Sequence, residues 1–408
     1  MKIGIIADDL TGAADAVAPF AKRGYRAEVR FFQRGMKNHC ETDALAIDTG
    51  SRDSPMKDTL RDLTFRRAAR ALAICFPDIV FKKIDSTLRG HLRMELDAIR
   101  FVLPERLPVI CPAFPANGRI IRNGELWVYG ELQNRSVRAA FGYEDGNAAQ
   151  NVSLAELRQG VGSLSVRLNE ARNSGAACVF CDAETDVDLN ILAQALLQQP
   201  ADYLPVGSAG LSSAFARQFP LLSENAGEIE SLLNIFKTGR VLVVVGTLHE
   251  VSRNQLRHLS ERTGISPTIF DVAKIGASRD SSYHQVHQSL DAGQRFVIVT
   301  TPEASFGNVR NFWFNVHPIM IWRFQMSDKT NERPFDALFV TGGDSAKDAM
   351  MSLNGSGIRI IGEIQPGIVA SRMIANKVGS QIFQDFPALL KSGGFGASNL
   401  LTTILGLE

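Results

Sequence analysis

Lys2-Ile3-Gly4-Ile5-Ile6-Ala7-Asp8-Asp9-Leu10-Thr11-Gly12-Ala13-Ala14-Asp15-Ala16-Val17 opens the chain, and its reading decides how the rest is read. The short apolar run from Ile3 to Ala7 predicts a buried strand. It breaks into Asp8-Asp9, after which Thr11 and Gly12 open an Ala-rich helix. In an open parallel sheet, ligands bind beyond the carboxyl ends of strands, at helix N-termini. Two adjacent carboxylates at such a turn do not suit phosphate by themselves. They suit a hydroxyl-rich substrate, a proton acceptor or a metal ion. The plainer alternative, an N-cap made by Asp9 or Thr11, explains one residue of the pair and not both.

Working outward, apolar runs recur and end on polar residues. Ala27 to Phe32 and Ala44 to Asp48 read as the next strands, the latter entering Thr49-Gly50-Ser51-Arg52. A helical stretch from Lys57 to Ala73 follows. Next comes Ile79-Val80-Phe81-Lys82-Lys83-Ile84-Asp85-Ser86-Thr87-Leu88-Arg89-Gly90, a strand running into charged and hydroxyl residues, with a helix around Glu95 to Arg100 behind it. Val109 to Cys111, Cys178 to Cys181 and Leu204 to Gly207 continue the series. A second series starts at Val241 to Val245 and continues through Phe296 to Thr300, Ala337 to Val340 and Ile358 to Ile361. This alternation predicts βαβ units and mostly parallel sheets. At 408 residues the chain exceeds one ordinary core, so we expect two α/β domains, with the polar stretch Ser223 to Glu230 connecting them.

Composition excludes several classes. Hydrophobic residues make up 45% and charged residues 21%, and 44 basic against 43 acidic residues leave a net charge of +1. Such balance argues against nucleic acid or an anionic membrane as partner. The N-terminus enters a strand without a basic and apolar leader, and no apolar run reaches spanning length. Five Cys residues, odd and sparse, predict reduced thiols and a cytoplasmic protein. Cys178 and Cys181 form a C-x-x-C in an apolar strand, with no second pair to complete a zinc set, so they read as core.

Strand ends in the first half collect Asp8, Asp9, Arg52, Lys82, Lys83, Asp85, Ser86 and Arg89. The Pro112 to Arg119 segment adds Asn117 and Arg119. Carboxylates, cations, hydroxyls and an amide together suit a small polyhydroxy acid, since Arg clamps a carboxylate with two hydrogen bonds while Asp and Asn hold hydroxyls. A solvated face is the alternative for Lys82 or Lys83 taken singly, because alternation puts them on opposite sides.

The second half is glycine-rich at its strand ends: Gly246-Thr247, then Thr341-Gly342-Gly343-Asp344-Ser345, then Lys391-Ser392-Gly393-Gly394-Phe395-Gly396. Glycine lets backbone N–H groups approach phosphate. There is no Walker motif, and no G-x-G-x-x-G after the first strand, which weakens a nicotinamide-dependent dehydrogenase. A non-catalytic sugar-acid sensor would need only the acid site. His91, His249 and His317 show no metal spacing, and we expect no protein metal cage; His249 stands out only for its place after the Val241 to Val245 strand. Ser208 lacks a nucleophile-elbow spacing and reads as a helix-entry turn.

Taken together, Ile6-Ala7-Asp8-Asp9-Leu10-Thr11-Gly12-Ala13, Lys83 to Gly90, Thr341 to Asp344 and Lys391 to Gly396 resemble the motifs of the four-carbon acid sugar kinases, over essentially the whole chain. The resemblance implies an N-terminal α/β domain, 1–225, that binds the acid sugar, and a C-terminal α/β domain, 238–408, that binds ATP, with the active-site cleft between them. It places Asp9, Arg52 and Lys83 to Ser86 on the acid side; from the residues themselves we add Asp8 and Lys82 to the acid site and expect Asp9 or Asp85 to accept the proton. On the ATP side the resemblance places Gly342, Gly343, Asp344, Ser345, Gly393 and the loop after Val241 to Val245, with Thr247 and His249; the glycine cluster adds Gly394 and Gly396, and we expect Mg²⁺ on the ATP phosphates. Relatives often carry Ser-Gly-Ser-Cys-Ser where this chain has Val245-Gly246-Thr247-Leu248-His249, a departure in the nucleotide loop. The form of Asp85 to Gly90 and of Pro112 to Arg119 is similar to the enzymes acting on D-threonate or D-erythronate, D-threonate being the first choice, ahead of 3-oxo-tetronate. The expected partners are that acid and ATP, with no nucleic acid and no membrane, and with room for a homo-oligomer.

Overall fold

Most of the apolar runs named above become strands of buried residues, with polar turns at their carboxyl ends. The structure is a computed structural model, and it describes residues 2–32, 41–52, 57–75, 77–143, 148–223, 225–269, 284–286, 288–289, 291–300, 335–375 and 383–407. His317 lies outside them. The chain divides into two compact units, Met1–Ser223 and Glu224–Glu408.

In the first unit, eight strands of the described residues lie side by side in one sheet. Its order is Ala27–Phe31, Ala44–Asp48, Ile3–Ala7, Ile79–Lys83, Tyr203–Gly207, Leu107–Cys111, Cys178–Cys181 and Ala149–Val152, every pairing parallel. Fully buried runs such as Ile3–Ala7 are what a parallel sheet covered on both faces requires. Helices Leu10–Ala21 and Ala209–Arg217 pack on it through Leu10, Ala14, Val17, Leu211 and Phe215. Ser208 caps the second of these, its hydroxyl accepting from Gly210 N–H, so the helix-entry reading holds.

A smaller antiparallel sheet, Arg119–Arg122, Glu125–Val128 and Glu131–Ser136, lies outside the expected alternation. Its last strand carries Glu131, Gln133, Asn134 and Arg135 and is exposed for most of its length, so no apolar alternation marks it.

In the second unit Thr268–Ile269, Phe296–Thr300, Val241–Val245, Ala337–Thr341 and Pro387–Lys391 run parallel. The hairpin Gly355–Gln365 and Ile368–Ala375 then adds antiparallel strands beside Pro387–Lys391. Most of the stretch expected to be a connection belongs to the helix Ala226–Thr238. Its Leu232 and Phe236 are buried in a core with Val243, Phe339 and Leu389, which outweighs the polar residues at its start.

Cys111, Cys178 and Cys181 are free and buried, and burial pushes the Cys111 thiol up to about 12 and the Cys178 thiol up to about 11. Those thiols are core, as the C-x-x-C reading expects. Cys75 is disulfide-bonded, however, and departs from the expectation of reduced thiols throughout. No described helix is long and apolar enough to cross a membrane.

Candidate functional site

In the first unit, sheet order assembles the site. The strands Ala44–Asp48, Ile3–Ala7 and Ile79–Lys83 are neighbours, with Ala7 opposite Asp48 and Ile6 opposite Lys82. Their carboxyl ends therefore deliver Thr49 to Arg52, Asp8-Asp9 and Ile84 to Arg89 to one place. Ser51 and Arg52 N–H donate to the Asp8 carbonyl at 2.9 and 3.2 Å, locking the arginine's turn to the first strand.

Arg52 grips both aspartates. Its Nε and Nη2 donate to Asp8 Oδ2 and Oδ1, each at 2.8 Å, and Nη1 lies 2.9 Å from Asp9 Oδ2. Burial works to raise the Asp8 carboxyl, but Arg52, Lys82 and Lys83 outweigh it and hold it below its ordinary range. Burial opposes the Arg52 charge in turn, and Asp8 and Asp9 raise it well above the ordinary value. Asp9 is the N-cap of the Leu10–Ala21 helix, Oδ1 accepting from Gly12 N–H at 3.0 Å and Oδ2 from the Thr11 hydroxyl at 2.7 Å. Cap and ion-pair partner are thus one residue, which joins the two readings of the pair.

Glycine admits the cations. A Cβ at Gly12 would lie 2.4 Å from Asp9 Oδ1 and 3.1 Å from Lys83 Nζ. Gly90, at φ +100°, would put a Cβ 2.9 Å from Asp8 Oδ2. Lys83 is buried and donates from Nζ to the Ile84 carbonyl at 2.9 Å. Burial and then Arg52 lower its affinity for a proton, more than Asp9, Asp15 and Asp8 restore. An anionic group arriving here would restore it.

Lys82 faces the other side of its strand, as alternation requires. Its Nζ pairs with Glu95 Oε2 at 2.8 Å and lies 4.7 Å from the centre of the Phe65 ring. Burial raises the Glu95 carboxyl, with Lys82 acting against it. Lys82 therefore acts on Asp8 by its charge while its ammonium is engaged with Glu95.

Asp85 closes the turn after Ile79–Lys83. Oδ2 accepts from Thr87 N–H at 3.0 Å and from the Thr87 hydroxyl, and Arg89 holds the carboxylate from Nε at 3.0 Å and Nη2 at 2.8 Å. Burial pushes its carboxyl up, yet Arg89, Arg52 and Thr87 together bring it far below the ordinary range. Arg52 Nη1 is 3.9 Å from Asp85 Oδ1, so Asp8, Asp9 and Asp85 share one guanidinium. Ser86 sits half-buried at the apex of this turn. Arg135 steadies it from the small sheet, donating to the Thr87 and Leu88 carbonyls at 2.8 and 2.6 Å.

Asn117 and Arg119 stand apart from this cluster. Arg119 bonds the Asn117 carbonyl and the Tyr129 hydroxyl, and its guanidinium is 5.1 Å from the centre of the Tyr129 ring. Neither contacts Asp8, Asp9, Arg52 or Asp85 among the described residues.

In the second unit the three glycine segments meet. They follow the neighbouring strands Val241–Val245, Ala337–Thr341 and Pro387–Lys391. Gly246 N–H donates to the Thr341 carbonyl and Gly342 N–H to the Lys391 carbonyl, both at 3.2 Å. A Cβ on Gly246 would lie 1.9 Å from Ser345 Oγ, on Gly393 3.0 Å from Thr247 Oγ1, and on Gly394 2.9 Å from His249 Nε2. Gly342, at φ +102°, is the N-cap of the Gly343–Ser352 helix, whose first turn holds Asp344 and Ser345. Ser345 Oγ is buried with no hydrogen-bond partner among the described residues. Gly396 lies beside Gln255, whose amide donates to the carbonyls of Phe395, Gly396 and Ala397 at 3.0, 3.0 and 2.9 Å. A backbone cradle with an orphaned hydroxyl at a helix N-terminus fits phosphate oxygens.

Glu95, Arg135, Ser252 and Lys391 belong to these clusters and are not among the site residues expected from the sequence. Lys391 has a signal, its place between an apolar strand and Ser392-Gly393-Gly394. Glu95 and Arg135 have none, because their partners are distant in sequence.

Comparison with known proteins follows the same division. Residues 3–215 match the family model of a sugar-binding N-terminal domain, and residues 242–401 that of a nucleotide-binding C-terminal domain. The chain is 26% identical to a D-threonate kinase of Salmonella typhimurium, over 99% of this chain and 98% of that one. It is 30% identical to a D-threonate kinase of Cupriavidus necator, over 92% and 94%. Other relatives are named D-erythronate kinase and 3-oxo-tetronate kinase, at 26% and 25% identity. A solved Haemophilus influenzae protein shares the fold, with a TM-score of 0.69 at 20% identity and 99% coverage of both chains.

Proposed function

The chain belongs to the four-carbon acid sugar kinase family, and from that premise we propose that it phosphorylates the 4-hydroxyl of a four-carbon sugar acid with ATP, D-threonate first among them. It is a sugar-acid kinase; the finer choice of acid is our reading. The observation that carries it is the sharing of Arg52 by Asp8, Asp9 and Asp85, with Lys83 at its side, inside the residues matched by the sugar-binding domain.

Roles follow from the geometry. Of the five guanidinium N–H groups on Arg52, three serve Asp8 and Asp9, which leaves two for a ligand. Those two and the Lys83 ammonium would hold the substrate carboxylate, whose charge stabilises the protonated Lys83. Asp85 is kept so acidic by Arg89 that it is a poor base, so it would orient a hydroxyl, with Ser86 beside it. Asp9 is then our choice for accepting the proton of the attacking 4-hydroxyl. Asn117, in the Pro115–Asn117 turn, and Arg119, at the start of the small sheet, would meet the acid from outside the Arg52 cluster. Lys82, engaged with Glu95, would support the site through the charge it places near Asp8.

In the other unit, backbone N–H groups around Gly343, Gly393 and Gly394 would hold phosphate oxygens, with Thr247, His249 and Ser345 on the wall and Gly396 shaping the turn. Mg²⁺ on those oxygens would neutralise charge during transfer. The chain's part is positioning, which supplies most of the catalysis in phosphoryl transfer.

The test is an ATP-coupled assay across D- and L-threonate, D-erythronate and the 3-oxo acids, with the product's phosphate placed by NMR. Turnover of D-threonate to the 4-phosphate with the highest kcat/KM is expected. A higher kcat/KM for D-erythronate or a 3-oxo acid would reassign the substrate, and no turnover of any would refute the reading.

A further inference from the structure

Lys391 ends the Pro387–Lys391 strand with its side chain buried, and it makes no ion pair with a carboxylate among the described residues. Its Nζ donates to Ser252 Oγ at 2.8 Å, to the Gly393 carbonyl at 3.0 Å and to the Ser392 carbonyl at 3.1 Å. Ser252 gives its one proton to the Gly393 carbonyl at 2.7 Å, so the Thr341 hydroxyl, 3.2 Å away, is a donor to Ser252. Three acceptors around Nζ need three N–H groups. An ammonium has three, and a neutral amine has two. The arrangement is complete with the charged form, and burial pushes Lys391 down to about 7, so in the free protein the ammonium gives way to the neutral amine as pH rises through that value. Among the described residues, His249 is a titratable side chain on the same wall, its ring facing Gly394.

Peptide geometry says what this staple does. A trans peptide points its C=O and the following N–H in opposite directions. With the Ser392 and Gly393 carbonyls turned toward Nζ, the Gly393 and Gly394 N–H groups point away from it. Neither of those N–H groups has an acceptor among the described residues.

We propose that Lys391 is a positioning residue for the nucleotide. Its ammonium ties Ser392 and Gly393 to Ser252, aims the Gly393 and Gly394 N–H groups at a phosphate, and sets a positive charge behind them. This rests on the ATP reading above. A bound polyphosphate stabilises the ammonium, so above the free enzyme's pKa the protein takes up a proton as the nucleotide binds.

Calorimetry of ATP binding in two buffers of different ionisation enthalpy measures that proton. At about pH 8 the phosphates of ATP are already ionised, so uptake reports on the protein. Wild type should take up a substantial fraction of a proton. Lys391→Met should take up none, with the ATP KM raised roughly tenfold or more and the sugar-acid KM little changed. Lys391→Arg stays charged, so its ATP affinity should be flat between about pH 7.5 and 9, where ATP itself is fully ionised. ATP binding to wild type without uptake would overturn this proposal and leave the nucleotide reading standing. No ATP binding at all would overturn both. Wild-type pH dependence in Lys391→Arg, or undiminished uptake in Lys391→Met, would also refute it. Wild type and Lys391→Arg decide the matter even if Lys391→Met fails to fold.

Discussion

Arg52 Nε and Nη2 meet Asp8 Oδ2 and Oδ1 at 2.8 Å each, a two-point clamp between residues 44 apart in sequence. The clamp is buried, so neither charge can be removed without stranding the other. It also fixes where the rest of the guanidinium points, toward Asp9 at 2.9 Å and Asp85 at 3.9 Å. The arginine is thus a scaffold for three carboxylates, and in our proposal a ligand for a fourth.

Arg52→Lys tests that order of roles. A lysine keeps one positive charge and loses the planar fork, so it cannot hold Asp8 at two points while reaching Asp9. We expect kcat/KM for the sugar acid to fall about a hundredfold, with the ATP KM within about twofold of wild type. Steady-state kinetics with each substrate varied in turn measures the split, and an equal rise in both KM values would contradict it.

Asp9→Asn separates the cap from the chemistry. Asparagine is a good N-cap and can still accept from Gly12 N–H, so the Leu10–Ala21 helix should persist, while loss of the buried Arg52 ion pair should cost about 1–3 kcal/mol. As a proton acceptor it is far weaker than a carboxylate. Loss of turnover by about a hundredfold or more, in a variant that still folds at the assay temperature, is the expected result. Near-normal turnover with ATP and D-threonate would remove Asp9 from the acceptor role.

Gly246→Ala probes the nucleotide cradle without adding charge. Its Cβ would meet Ser345 Oγ at 1.9 Å and must push that hydroxyl or the turn aside. Gly227, where an added Cβ would meet nothing within 4 Å, is the matched control in the same unit. Gly227→Ala should be neutral or stabilise by about 0.5 kcal/mol. Gly246→Ala should raise the ATP KM by about tenfold or more and leave sugar-acid binding intact. Equal behaviour of the two variants in an ATP titration would show that the Gly246 turn does not touch nucleotide.

These sites differ in how far the sequence announces them. Asp8-Asp9, Arg52 and Asp85 are legible because a parallel sheet collects its loops at one edge, and each residue follows an apolar run. Their mutual contacts need only the strand order, which places Ile3–Ala7 between its two partners. The glycine segments at Gly246, Gly342 and Gly393 are legible for the same reason. Glu95 is not: an acid in the first turn of a helix ordinarily faces water, and only the packing of Leu92–Val102 puts it against Lys82. Arg135 is hidden because its acceptors are backbone carbonyls, which any sequence supplies. Lys82 and Lys83 are adjacent in sequence, yet strand alternation sends the two ammoniums to different partners.

Asp85→Asn gives the pH dependence. Burial alone would raise the Asp85 carboxyl, but Arg89, Arg52 and Thr87 hold it far below 3.8, the value of an unperturbed aspartate. A depressed folded-state value means the native protein releases a proton that the unfolded chain keeps. The resulting stability is fully present above the unfolded value and drains away as pH falls through 3.8 toward the folded one. Asparagine lacks that carboxylate, so Asp85→Asn should cost about 1–3 kcal/mol at neutral pH. The gap between variant and wild type should then narrow as pH drops below 3.8 and wild type begins to protonate. Urea unfolding of both proteins at a series of pH values measures the gap directly. A gap that stays constant into acid would mean that the carboxylate's charge contributes nothing, and that Arg89 and Thr87 hold the turn equally well around an amide.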